Sequence, residues 1–248
     1  MRRVLSFCVL LAAKAFSHTF YRRERRWVGE VPPHPWDGIR LIALLNHTSL
    51  FEWLFVSCAP LRLLWQIAGY GVLPTADVTT GRALVGRFFK ALTPHVVSIS
   101  REPDHTWDAV LEKLGPQSMV IILPEGRMMR ANGLDKHGKP MTVRGGIADL
   151  LRLIPQGRML VAYSGGLHHV QVPGQRFPRL FKTIRLNIEI VDIAEYRAEL
   201  TQQGDEEDFR RRVKRDLAER RDRHCPVRQG TAGAAALPGP SSSPSPRE

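Results

Sequence analysis

Ile39-Arg40-Leu41-Ile42-Ala43-Leu44-Leu45 runs directly into Asn46-His47-Thr48-Ser49-Leu50-Phe51-Glu52. The first seven residues are apolar except for Arg40, and a turn-forming asparagine bounds them. They read as a buried strand. Leu50 to Cys58 then reads as a helix that stops at Pro60. A buried strand feeding a helix through a few polar residues is the unit from which α/β layered domains are built.

The same alternation continues outward along the chain. Val96 to Ser100 reads as a short strand, Asp104 as the cap of a helix through Leu114, and Gly115-Pro116 as its end. Met119 to Leu123 is the next strand, Gly146 to Leu153 a helix, and Met159 to Tyr163 a further strand. Thr183 to Val191 alternates apolar and polar residues as a more exposed strand. These elements predict one α/β layered domain over residues 21–200, with a mixed, largely parallel sheet flanked by helices. The sequence shows no internal repeat and no second domain.

The chain has 248 residues and a formal net charge of +12, which ordinarily points to nucleic acid, an anionic membrane or an acidic substrate. The charge is not spread evenly. Residues 1–26 carry seven bases against Glu24, and residues 209–228 carry nine against three acids, so each segment is +6. Residues 27–208 balance 19 bases against 19 acids. A basic groove across the whole fold is therefore disfavoured, and nucleic acid with it. Cys8, Cys58 and Cys225 are odd in number and far apart, which argues for a reducing compartment and for no structural metal or disulfide framework.

Val4 to Ala13 is apolar but for Ser6, and ten helical residues span roughly 15 Å, about half a hydrocarbon layer. Three readings stand for residues 1–20: a cleaved signal peptide ending near Ala13-Lys14-Ala15, a helix packed on the body, or a helix lying shallowly in the membrane interface. In the last, Arg22-Arg23-Glu24-Arg25-Arg26 lies close to lipid phosphates. Residues 205–224 read as a charged helix whose Phe209, Val213 and Leu217 form one narrow apolar stripe, laid on the body or on lipid. The Pro/Ser/Gly-rich residues 229–248 read as a disordered tail.

Two strand ends gather chemistry. If the chain turns at Asn46 and the helix starts near Ser49, His47 and Glu52 meet at the strand-to-helix mouth, where open α/β sheets place their sites. A carboxylate there holds an imidazole in one tautomer, as a general base requires. Nine histidines yield about one such His-x4-acid pair by chance, and this is the only one. Pro124-Glu125-Gly126-Arg127 follows the strand ending at Leu123, and either a ligand-binding turn or a surface ion pair fits it. Arg101, just past Ser98-Ile99-Ser100, suits a phosphate or carboxylate.

In this order and spacing the segments resemble the glycerolipid acyltransferase family typified by 1-acylglycerol-3-phosphate acyltransferases. That family carries Asn-His-x4-Asp after a strand, an arginine further on, and Pro-Glu-Gly after a third strand. The resemblance covers about residues 20–195, with Trp27-Val28-Gly29-Glu30-Val31-Pro32 at the place of the family's strand before the first block. It implies that His47 is the general base oriented by Glu52, and that Arg101, Glu125, Gly126 and Arg127 bind the acceptor. It also implies an acyl-CoA or acyl-carrier-protein donor, a lyso-lipid acceptor, no other cofactor and no metal. Peripheral attachment to the cytoplasmic face of a membrane is the expected location. The sequence departs from the family at Glu52, normally Asp, and at Arg127-Met128-Met129-Arg130, where Thr-Arg-Ser is usual. The family's last block is represented only by Leu160 to Gly165. Rival readings are a serine hydrolase built from Ser164, Asp192 and His224, and a non-enzymatic membrane or nucleic-acid adaptor using the basic ends, which lack the interleaved aromatics of a single-strand binder.

Overall fold

Ile39–Leu45 is a central strand, and its side chains alternate between two hydrophobic layers. The computed structural model describes residues 1–81, 83–99, 106–172, 175, 177–201 and 206–226. Its elements in chain order are α1 (Arg2–Phe20), β1 (Arg22–Trp27), β2 (Ile39–Leu45), a 3-10 helix (Leu50–Cys58), α2 (Leu61–Tyr70), β3 (Gly71–Ala76), α3 (Asp77–Thr80) and α4 (Ala83–Leu92). Then follow β4 (His95–Ile99), α5 (Asp108–Leu111), β5 (Met119–Ile122), α6 (Gly146–Leu153), β6 (Arg158–Ser164), β7 (Thr183–Asp192), α7 (Ile193–Thr201) and α8 (Glu206–His224).

One seven-stranded sheet runs β1-β7-β6-β2-β5-β3-β4. All neighbours pair in parallel except β6 and β7, so β1 and β7 oppose the other strands. Leu41, Ala43 and Leu45 of β2 face one layer, with Ile147, Leu150 and Leu151 of α6, Tyr196 of α7, and Phe209, Val213 and Leu217 of α8. On the other face Leu160 and Ala162 of β6 meet Leu10 of α1, Leu54 of the 3-10 helix and Leu64 of α2. Fully burying each such leucine contributes about 1.5–3 kcal/mol. The α/β/α layering matches the architecture expected from the sequence.

β3 holds a proline at an interior position. Pairing of β3 with β5 ends at Val72↔Val120, while β3 stays paired with β4 through Ala76↔Ile99. Pro74 has no N–H to give to a ladder. Beyond Val72 the two strands part and leave a gap in the sheet.

Several local expectations are corrected. Residues 50–58 form a 3-10 helix, whose N-terminus is closed by a Ser49–Glu52 capping box. The strand before the first block is Arg22–Trp27, not Trp27–Pro32. As an edge strand with its side chains largely exposed, it tolerates charge. Arg23 and Arg25 lie over α1 and the 3-10 helix, and Glu24 pairs with Arg185. Helix α1 runs to Phe20, well past its apolar run and long enough to cross a membrane by length and composition. Lys14 does not end it, because its ammonium donates to the Ser57 and Ala59 carbonyls at the end of the 3-10 helix. Leu10, Ala13 and Ser17 of α1 are buried against the body. Of the helix expected over 104–114, the described residues show Asp108–Leu111. Asp104, Arg101 and the tail over 229–248 lie outside the described residues.

Candidate active site

The turn after β2 begins at Asn46, which sits in the left-handed region with φ 66°, a conformation asparagine adopts more readily than most residues. Its side-chain amide donates to the Ser164 carbonyl at the end of neighbouring β6 at 2.7 Å. This reversal turns His47 back toward the next helix. The Thr48 hydroxyl then accepts the Leu167 N–H at 2.7 Å, and Ser49 caps the 3-10 helix while donating to Gln171.

Glu52 is the third residue of that helix and is 7% exposed. One oxygen accepts the Thr48 N–H at 2.6 Å and, more weakly, the Ser49 N–H at 3.4 Å. The other accepts from His47 Nδ1. The extra methylene relative to aspartate is thus accommodated: the carboxylate folds back over its own N-cap and still reaches the imidazole. Among the described residues His47 Nε2 has no hydrogen-bond partner. Burial pushes the His47 pKa down, but the charge and hydrogen bond of Glu52, with Glu125 adding to them, outweigh burial and leave it above 6.5.

The second block docks onto the first. Glu125 is 2% exposed and accepts the backbone N–H groups of Asn46 at 3.2 Å and His47 at 2.7 Å. Gly126, with φ 63°, closes the turn through its N–H to the Leu123 carbonyl. A Cβ there would meet only Arg144 Cγ at 3.6 Å, so backbone conformation and not space requires glycine. Arg127 pairs with Asp135, whose carboxyl is held below its usual range first by the Lys139 N–H and then by Arg127. The Met129 N–H donates to the His47 carbonyl at 2.7 Å, fastening the following loop over the site.

His47, Glu52, Gly126, Arg127 and Met128 line one end of a cavity of about 820 Å³. Its walls are mostly apolar, with Leu10 and Leu64 from one layer, Ile122 and Ile147 from the other, and Leu73 to Ala76 of β3 at the gap in the sheet. Arg144 also lines it, and its guanidinium has no partner among the described residues. No group of three or more His, Cys, Asp and Glu suited to a metal is found among the described residues.

The structure therefore brings together His47, Glu52, Glu125, Gly126 and Arg127, while Arg101 lies outside the described residues. It does not assemble the rival hydrolase. Ser164 is fully buried with its hydroxyl accepting the Gly166 N–H. Asp192 pairs with Arg158 at the other end of β6, about 20 Å away by strand rise, and caps α7. Burial pushes the thiol of Cys225, near Glu125, up to about 12. The turn expected at Asn46 is present. Sequence reasoning missed two residues: Arg144 carried no signal, and Arg221, which donates to Glu125 at 3.2 Å, carried one in its spacing from Phe209, Val213 and Leu217.

No protein-family model matches the chain, and no curated protein sequence matches it either. Among solved structures, the 1-acyl-sn-glycerophosphate (LPA) acyltransferase PlsC from Thermotoga maritima superposes with a TM-score of 0.54 at 17% identity, covering 88% of this chain and 80% of that one. The fold is acyltransferase-like.

Proposed function

We propose that this protein transfers a fatty acyl group from a thioester, acyl-CoA or acyl-carrier protein, to the hydroxyl of a lysophospholipid. The observation that carries the reading is the His47–Glu52 pair in the wall of a mostly apolar cavity of about 820 Å³. Glu52 holds the Nδ1 proton, so the neutral ring presents its Nε2 lone pair. That nitrogen takes the proton of the acceptor hydroxyl as its oxygen attacks the thioester carbonyl. The tetrahedral intermediate collapses with the thiol as leaving group, and the imidazolium returns the proton to its sulfur. An ester and a free thiol result, with no acyl-enzyme and no cofactor beyond the donor.

The cavity takes an acyl tail, and Arg144 and Arg101 serve the acceptor phosphate. Arg127 is already committed to Asp135, which leaves Arg144 as the described cation best placed to pair with it. The enzyme works peripherally on the cytoplasmic face of an anionic membrane. Val4, Leu5, Leu61 and Trp65 expose apolar surface on α1 and α2, and Arg3 lies over Trp65. The test is acyl transfer from radiolabelled acyl-CoA to lysophosphatidate by purified protein. His47→Ala is expected to lose activity by orders of magnitude, and wild-type-like turnover in that variant would sink the assignment.

A further inference from the structure

Helix α8 carries more charged residues than any other element, yet it reaches the candidate active site. Phe209, Val213 and Leu217 bury one stripe in the core, and Arg210 pairs with Asp149 of α6. Arg220 joins Glu189 of β7 at 2.6 Å and Asp216 at 2.8 Å. The helix is thereby held at both ends. The next residue in the four-residue spacing of the stripe is Arg221, on the same inward face. Its Nη1 donates to Glu125 at 3.2 Å and to the Met141 carbonyl at 3.2 Å, and its Nε donates to Asp222 at 2.8 Å.

Glu125 holds the backbone of Asn46 and His47, and its side chain is 1% exposed. Among the described residues Arg221 is the one cation paired with it. A buried carboxylate keeps its place only when its charge is met. We infer that Arg221 is a positioning residue: through Glu125 it fixes the Asn46-His47 turn and so aims the His47 imidazole at the acceptor. The inference rests on the acyltransferase reading for its kinetic readout. It makes α8 part of the catalytic apparatus, where its charge pattern alone suggests a solvated or lipid-bound helix.

The test compares Arg221→Gln and Arg221→Lys in the full chain. The Gln variant is expected to lose about 10- to 100-fold in kcat, the scale of a small misplacement of a reacting group, with KM within about threefold. Lys restores part of the loss, since it meets the charge of Glu125 but lacks the planar guanidinium whose Nε is held by Asp222. In a Glu125→Gln background the same Arg221→Gln change costs less than about threefold, because the link is already cut. Amide exchange at Asn46 and His47 speeds in Arg221→Gln, and this readout needs no substrate. If the wild type transfers no acyl group, the functional reading fails, and the exchange result alone decides the role of Arg221. Unchanged exchange with normal kcat overturns the inference, as does a loss confined to KM or a loss equally large in the Glu125→Gln background. If Arg221→Gln does not fold, exchange in Arg221→Lys decides, and wild-type protection of both amides overturns it.

Discussion

Replacing Glu52 by Gln isolates what the carboxylate does for His47. The side chain keeps its length, and its one carbonyl oxygen can still accept the Thr48 N–H, now at 2.6 Å. The helix cap therefore survives. The amide nitrogen then faces His47 Nδ1 where a carboxylate oxygen now accepts, and two donors cannot share one hydrogen bond. The ring is driven to the other tautomer, with its proton on Nε2, the nitrogen that must receive one. In catalytic triads the equivalent loss of tautomer control lowers kcat by about 10⁴-fold, or about 5 kcal/mol of transition-state stabilisation at 1.36 kcal/mol per decade. The assay is initial-rate acyl transfer from radiolabelled acyl-CoA to lysophosphatidate, with thermal melts showing that the variant is folded. A folded Glu52→Gln enzyme retaining more than about a tenth of wild-type kcat would show that tautomer control by Glu52 does not limit the reaction.

Four further outcomes follow from the structure. Because the His47 pKa is raised above 6.5, and the base works only when neutral, kcat/KM should climb with pH through a midpoint above 6.5. The stability that the protonated pair contributes is fully present below that value and is lost as pH rises through the raised one, so His47→Ala should destabilise more at pH 5.5 than at pH 9 in urea titrations. Ser164→Ala should keep acyl transfer within about threefold and create no loss of esterase activity, because Ser164 is sealed from solvent; abolished ester hydrolysis would revive the hydrolase. Leu5→Glu with Leu61→Glu should reduce flotation with anionic liposomes without lowering the melting temperature, since both side chains are exposed; unchanged flotation would remove this surface from the membrane contact.

The parts legible in the sequence were those governed by short-range rules. β2, β5 and α6 announced themselves by apolar runs and periodicity, and His47 with Glu52 by five-residue proximity. The region from Leu61 to Leu92 hid α2, β3 and α4, because Pro74 argues against an interior strand and the strand tolerates it only by giving up half its pairing. β1 hid behind five charged residues, since an edge strand needs no apolar side chains. Arg221 stood in plain view as the fourth member of a four-residue stripe. Its partner is 96 residues away, and nothing local distinguishes a buried guanidinium from the solvated ones beside it.

Pro74 carries one more consequence. A sheet ordinarily insulates the two cores that it separates, and here a missing backbone donor opens a slot between β3 and β5 that the cavity occupies. On the proposed activity, a hydrocarbon tail seated in the slot would touch both cores. Saturation with a long-chain acyl thioester is accordingly expected to slow amide exchange in β3 and β5 together, and protection confined to one strand would show that the tail stops short of the slot.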